Sequence, residues 1–288
     1  MPISGPRTAR CTLPVLWVAF AAYVSLACTP PSATDHAQAL VRQHREDEAI
    51  ATLRSRLASH ADDVPARRLL VRVLALAGDL ASARAEVAEL GKRLPPDDPA
   101  PYLELGHALE LAHRYDEALE AYDQASATAP LSPAGPREAG MRCAHWGESA
   151  LARPRLEEAV RRGAHDVDTW HALGVVRLNL GDDRGAEDAY RAAAAVDPAS
   201  PTPWLGLATV GVVRGDAALA LSAYDALLAR QPRFAAAELG RAWALAKLGR
   251  TADASRAIDR ALELGAPAEN AARQRAALAA EGGPGVAP

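Results

Sequence analysis

Apolar positions recur along this chain with a fixed long period. Ala49, Ala83, Ala118, Ala152, Ala186, Ala220 and Ala254 follow one another in steps of 34, 35, 34, 34, 34 and 34 residues. Four residues after each alanine comes a bulky side chain: Leu53, Val87, Tyr122, Leu156, Tyr190, Tyr224 and Ile258. That spacing puts the small and the large residue on one helical face. Five residues before each alanine stands a turn position, filled by His44, Gly78, His113, Gly147, Gly181, Gly215 and Gly249. Pro95, Pro130, Pro198 and Pro232 follow twelve residues after their alanines and close the period. Each period therefore predicts helix, turn, helix, with two helices of roughly 13 residues and about 20 Å each. Such helices are too short to be stable alone and must stack on their neighbours.

The first half of the period adds further markers. Tyr102, Trp170 and Trp204 occupy matching places, and Leu105-Gly106 and Leu173-Gly174 follow three residues after their aromatics. Taken together these residues resemble the tetratricopeptide repeat, a helix–turn–helix module of about 34 residues. The resemblance covers about residues 30–268 as seven repeats, near 30–63, 64–98, 99–132, 133–166, 167–200, 201–234 and 235–268. The fifth, containing TWHALGVVRLNLGDDRGAEDAYRAAAAVDP, is closest to the family pattern. It implies an all-α fold, a right-handed superhelical α-solenoid, in which small residues sit where helix backbones approach. The residue four beyond each alanine is expected to plug the gap to the next repeat.

Departures from the pattern carry expectations of their own. The first repeat lacks the aromatic, so residues 28–36 are expected to form a flexible tether, with the array running over 37–268. The extra residue in LPPDDPA falls between repeats, where a loop absorbs it. Pro154 lies inside the fourth repeat's second helix and must kink it or delay its start. Residues 269–281 read as a capping helix with a polar outer side, and 282–288 as a disordered tail.

The N-terminus belongs to another category. Arg7 and Arg10 precede sixteen uncharged residues, 12–27, and Cys28 follows Ala27. The apolar run is shorter than the roughly 20 residues a bilayer crossing needs, so residues 1–27 read as a secretory signal. The run resembles a bacterial lipoprotein signal, which implies lipidation of Cys28 after cleavage. Ser25 departs from that pattern, which usually has leucine three residues before the cysteine. Ser25 and Ala27 also fit an ordinary cleavage site giving a soluble periplasmic or secreted product, and an uncleaved anchor is the third alternative. Thr29 lacks the aspartate that marks inner-membrane retention, which favours the outer membrane.

Composition narrows the chemistry. Alanine, leucine and arginine dominate, only 5% of residues are aromatic, and the formal charge is −4. No basic block stands out, so nucleic acid is not expected as a partner. The cysteines Cys11, Cys28 and Cys143 have no metal-ligand spacing. Cys143 and His145 in CAHW suggest a thiol and its base, but register aligns Cys143 with Leu109, Arg177 and Leu245, which favours a small buried hydrophobe. The pairs Asp62-Asp63, Asp97-Asp98 and Asp182-Asp183 fall at turns and repeat ends, where acids cap helices. No phosphate loop, dinucleotide fingerprint or nucleophile elbow occurs, so catalysis, a metal, a cofactor and a small-molecule substrate are not expected.

The resemblance also implies that the first helix of each repeat lines a concave groove. The residues so assigned are Arg68 and Arg72, Leu103 and His107, then Arg137, Met141 and His145. The later repeats supply His171, Val175 and Asn179, Leu205 and Thr209, and Leu239, Trp243 and Lys247. Leu76, Leu111 and Val213 share the register, with Leu111 and Val213 read as ordinary packing residues. The set describes a mixed apolar and weakly basic channel for an extended or helical protein segment. Arg68, Arg72 and Glu104 depart from the lysine and asparagine pattern of the family's carboxylate-clamp members, which disfavours chaperone C-termini. Trp243 is either an exposed anchor or a residue packed under the capping helix. The sequence thus predicts an interaction scaffold tethered to a bacterial envelope membrane. A soluble periplasmic chaperone or regulatory module is one alternative, and an enzyme or accessory subunit using Cys143 and His145 is another.

Overall fold

The structure, a computed structural model, describes residues 32–281. The expected signal peptide, Cys28, most of the tether and the tail after Glu281 lie outside those residues. Among the described residues there are fifteen α-helices and no strands. They fall into two compact parts that meet within one helix, the first ending at Glu86 and the second beginning at Val87.

The first part holds α1 (Ala33–Arg42), α2 (Glu46–Ser59), α3 (Val64–Leu76) and the start of α4 (Leu80–Gly91). Residues 33–36, expected as the end of a tether, form the first turn of α1. The reason is a reciprocal cap: the Ser32 side chain accepts from the Asp35 amide while the Asp35 carboxylate accepts from the Ser32 amide. Arg67 on α3 is buried and pairs with Glu86, and its Nη2 also donates to the Ala61 carbonyl at 3.1 Å.

The second part continues with α5 (Ala100–Leu111), α6 (Tyr115–Thr128), α7 (Ala134–His145) and α8 (Ser149–Arg161). It goes on through α9 (Val167–Asn179), α10 (Asp183–Val196), α11 (Thr202–Arg214) and α12 (Ala217–Arg230). It ends with α13 (Ala235–Lys247), α14 (Thr251–Glu263) and α15 (Ala268–Glu281). From α5 to α14 each odd-numbered helix packs antiparallel to the even one after it, and that even helix packs on the next repeat. Together the helices form an all-α solenoid of helical repeats.

The seven alanines explain the tight pairing, since every one of them is at most 1% exposed. The bulky residue one turn later fills the space between repeats. A Cβ added to Gly174, in the same repeat as Tyr190, would lie 2.6 Å from the tyrosine ring, and one added to Gly206 in the next repeat would also lie within 3 Å of it. Tyr190 is 2% exposed, and burial pushes its hydroxyl up to about 12.

All seven turn positions adopt positive φ, between +56° at His44 and +83° at Gly78 and Gly147. Glycine meets that requirement without steric cost, whereas His44 and His113 adopt it against their Cβ atoms. Two further glycines, Gly163 at +102° and Gly265 at +89°, end the second helices of the fourth and seventh repeats, two of the three that lack a closing proline. Acids cap as the sequence implies: Asp63, Asp98 and Asp182 accept from the amides of Ala66, Ala100 and Gly185 at 2.8–3.0 Å. The extra residue lies in the stretch 92–99 between α4 and α5. Pro154 does not delay α8, which runs from Ser149 through it. The helical carbonyl it leaves unpaired belongs to exposed Ala150.

Candidate partner-binding groove

The assigned groove residues divide between the two compact parts. Arg68 and Arg72 are half-buried on α3 in the first. The rest lie in the second, on α5, α7, α9, α11 and α13, where α5 and α7 are bridged by side chains and α9 touches both α7 and α11.

Packing claims three of them in part. Met141 lies against the buried cluster of Cys143, Leu156 and Leu173, Val175 against Tyr190 and Leu207, and Leu239 against Leu245 and Ile258. His145, Asn179, Leu205, Thr209 and Lys247 are exposed, whereas Leu103, His107, Arg137, His171 and Trp243 are half-buried. Asn179 Nδ2 donates to Ser149 Oγ at 3.3 Å, and Thr209 Oγ1 donates back to the Leu205 carbonyl at 2.9 Å. Leu111 and Val213 are not packing residues: they are 63% and 58% exposed. Both continue at four-residue spacing the line of half-buried His107 or of exposed Leu205 and Thr209, the side of the first helix turned away from the core, so they add apolar surface instead of core.

The middle of the channel is charge-compensated rather than basic. Arg137 reaches from α7 to the Asp166 carboxylate at 3.2 Å, to Thr169 Oγ1 at 3.0 Å and to Glu138 Oε1 at 3.2 Å. Burial pushes the Asp166 carboxyl up, but hydrogen bonds from Arg137 and Thr169 outweigh it and hold the group at about 2. His107 Nε2 lies 3.3 Å from Glu138 Oε2, and Arg142 joins Glu138 at 3.3 Å and Glu110 at 3.1 Å. The His107 contact, with these arginines, holds the Glu138 carboxyl below its ordinary range. His171 is pulled down by burial and is therefore neutral at pH 7. Glu110, Glu138 and Arg142 were not singled out by sequence reasoning. Glu138 sits where later repeats have Ala172, Gly206 and Gly240, and that acid in a small-residue position is the signal that could have found it.

The C-terminal end of the groove is apolar and open. Leu239 and Trp243 on α13 and Asn270, Arg273, Gln274 and Ala277 on α15 surround a cavity of about 410 Å³. Trp243 is thus neither fully covered by the capping helix nor free of it. Its ring forms part of a wall, with amide and guanidinium groups opposite.

The Cys143 sulfur is fully buried among Leu156, Leu173 and Val176, and burial pushes the thiol up, the opposite of an activated nucleophile. His145 is exposed at the end of α7. Trp146 packs at 5.0 Å, centroid to centroid, on Tyr115.

Two family models described as tetratricopeptide repeat match the chain, one over 167–210 and one over 34–99 and 205–272, together more than half of it. The chain belongs to the tetratricopeptide-repeat family. Three solved structures show the same fold at low identity. The C-terminal part of a tetratricopeptide-repeat protein from Cytophaga hutchinsonii aligns with a TM-score of 0.62 at 15% identity, over 84% of this chain and 98% of that one. YrrB, described as a tetratricopeptide-repeat protein with an unusual peptide-binding site, gives 0.59 at 19% identity, over 66% and 97%. MamA gives 0.55 at 20% identity, over 58% and 92%. No protein of curated function matches the chain. Tetratricopeptide-repeat arrays are in general protein-interaction modules, and the groove geometry is consistent with such a scaffold.

Proposed function

We propose that the protein is a non-catalytic scaffold that holds segments of partner proteins along its first helices, at a bacterial envelope membrane. The observation that carries the binding role is the open apolar cavity between α13 and α15, walled by Leu239 and Trp243. A half-buried tryptophan beside half-buried amides and an exposed guanidinium is the composition of an interface anchor. Leu111, Leu205 and Val213 extend the apolar surface along other first helices. Among the described residues no helix is long and apolar enough to cross a membrane. Attachment rests instead on the basic, apolar and cysteine pattern of residues 7–28, with the outer membrane favoured by Thr29.

Two measurements test this reading. Intact mass of the cell-derived protein should correspond to a chain beginning at Cys28 and carrying acyl groups, with Cys28→Ala giving an unprocessed chain. An unmodified chain cut after Ala27 would replace the anchored scaffold with a soluble periplasmic module, an outcome Ser25 and Ala27 also fit. In affinity capture from envelope extracts, alanine at Arg72, Met141 and Trp243 together should remove partners while leaving helicity unchanged. Undiminished capture would overturn the groove assignment.

A further inference from the structure

The sixth repeat holds an arginine whose acid has been replaced. Arg162 and Arg230 occupy the same repeat position, at the C-terminal ends of α8 and α12. Both reach back to main-chain carbonyls that end the preceding repeat. Arg162 donates to those of Ser126, Ala129 and Ser132 at 3.1–3.3 Å, and Arg230 to that of Pro198. Arg162 is neutralised by Glu158 at 2.6 Å, one helical turn before it. Ala226 stands in the Glu158 position of the sixth repeat. Arg230 Nη1 donates to the Ala226 main-chain carbonyl instead, and Arg230 forms no ion pair among the described residues. A cation in the last turn of α12 complements the helix dipole, but the dipole's roughly half charge does not balance a guanidinium.

This guanidinium walls a cavity of about 480 Å³ between α10, α11 and α12. It stands 4.5 Å from the centre of the Trp204 ring. The Pro198 carbonyl accepts from Trp204 Nε1 at 3.3 Å as well as from Arg230 Nε, which fixes the pair in place. Leu207, Leu219 and Ala223 supply apolar lining beside it. Arg191, the other cation of the lining, has Glu187 at 2.6 Å, a carboxylate it shares with Arg214. Asp197, next to Pro198, accepts from the Ala199 amide at 2.9 Å and does not pair with Arg230. Of the five guanidinium hydrogens, those bonded to Pro198 and Ala226 are engaged, and both on Nη2 are left to donate.

The neighbouring repeat lacks this charge. Its equivalent cavity, of about 370 Å³, is floored by Trp170 and Leu173, and its Arg161 and Arg177 pair with Glu158 and Glu157 at 2.5 and 3.0 Å. Val196 stands there in the Arg230 position. An apolar cavity of small-molecule size with one uncompensated, oriented cation at its edge is thus particular to the sixth repeat.

We propose that this cavity binds a small amphiphilic acid. Its carboxylate takes on Arg230 the place that Glu158 holds on Arg162, and its apolar body lies over Leu207, Leu219 and Ala223. A carboxylate accepting from an arginine forms the stronger, charge-assisted kind of hydrogen bond, and the apolar body gains from each methylene it removes from water. The site is independent of the groove walled by Leu239 and Trp243.

The test is calorimetric titration of decanoate into the protein purified from cells, with decanamide as its uncharged counterpart. Decanoate is expected to bind about tenfold or more tighter than decanamide, a preference that salt diminishes. Octanoate should bind severalfold more weakly than decanoate. Ala226→Glu restores the acid of the fourth repeat one turn before Arg230, so it should weaken decanoate about tenfold without lowering the unfolding midpoint. Arg230→Gln should abolish the preference for decanoate over decanamide, and Trp243→Ala should leave both affinities unchanged. The proposal fails if decanoate does not bind, whether or not a peptide bearing leucine and glutamate does. It fails equally if decanamide binds as well as decanoate, if Ala226→Glu has no effect on decanoate, or if Trp243→Ala abolishes binding.

Discussion

The ring of Tyr190 occupies the space that a Cβ on Gly206 would need. Tyr190 closes the fifth repeat and Gly206 opens the sixth, so one tyrosine sets how closely two repeats approach. Replacing glycine by alanine inside a helix ordinarily stabilises it by about 0.8–1 kcal/mol. Here the order inverts: Gly206→Ala should destabilise by roughly 1–3 kcal/mol through overpacking. Denaturant titration followed by circular dichroism reads the sign directly. Adding Tyr190→Leu should return part of the loss.

The two histidines at positive φ invite the opposite change. His44→Gly and His113→Gly should each stabilise, by up to about 1 kcal/mol, because the left-handed conformation costs a side-chain-bearing residue roughly 1–2 kcal/mol and glycine none. The gain should be larger at His44, whose Glu46 neighbour is 3.9 Å away, than at His113, whose Nδ1 lies 3.0 Å from the Tyr115 hydroxyl. Equal or negative shifts in unfolding midpoint would contradict this.

Asp166 ties stability to acid pH. Its folded value of about 2 lies below the unfolded value near 3.9, so its contribution is complete above pH ~4 and disappears as pH falls toward 2. Asp166→Asn should therefore lower stability at pH 7 and flatten the decline between pH 4 and 2. Melting temperatures of both proteins across that window test the prediction. The carboxylate is 45% exposed, so solvent screens the Arg137 pair and the effect is modest.

Cys143 should resist alkylation in the native state. Brief treatment with N-ethylmaleimide followed by peptide mapping should leave it unmodified, and mild denaturant should expose it together with the loss of helicity. Rapid native labelling would mean that the helices around Leu156 and Leu173 open locally.

Much of this architecture was legible because it depends on backbone register. Small residues where helices touch and positive φ at the turns are local demands that recur wherever Ala49 and its counterparts do, and acids cap the following helix at Asp79, Asp182 and Asp216. What escaped depends on side-chain reach between repeats. Glu138 draws together His107, Arg137 and Arg142 from two first helices, and no sequence interval joins that group. Leu111 and Val213 read as core because their side chains are apolar, yet each lies four residues beyond His107 or Thr209, on the side of its helix left open to solvent. Glu238 shows the converse, an acid in a tryptophan position that the fold buries. The division at Glu86 and Val87 is likewise absent from the pattern, which counts seven similar repeats.

The stretch 92–99 shows that length is tolerated here according to its address. One residue added there leaves every later turn in phase, because no helix crosses the insertion. The same residue added within α9 would rotate everything beyond it by about 100° around the helix axis and turn buried alanines toward water. A whole copy of residues 201–234 is a different matter. Its ends already match the junctions on either side, so duplication would lengthen the chain by one interchangeable part. The array can thus be re-measured in steps of a repeat but not in steps of a residue, and a lineage could alter its reach without redesigning any contact.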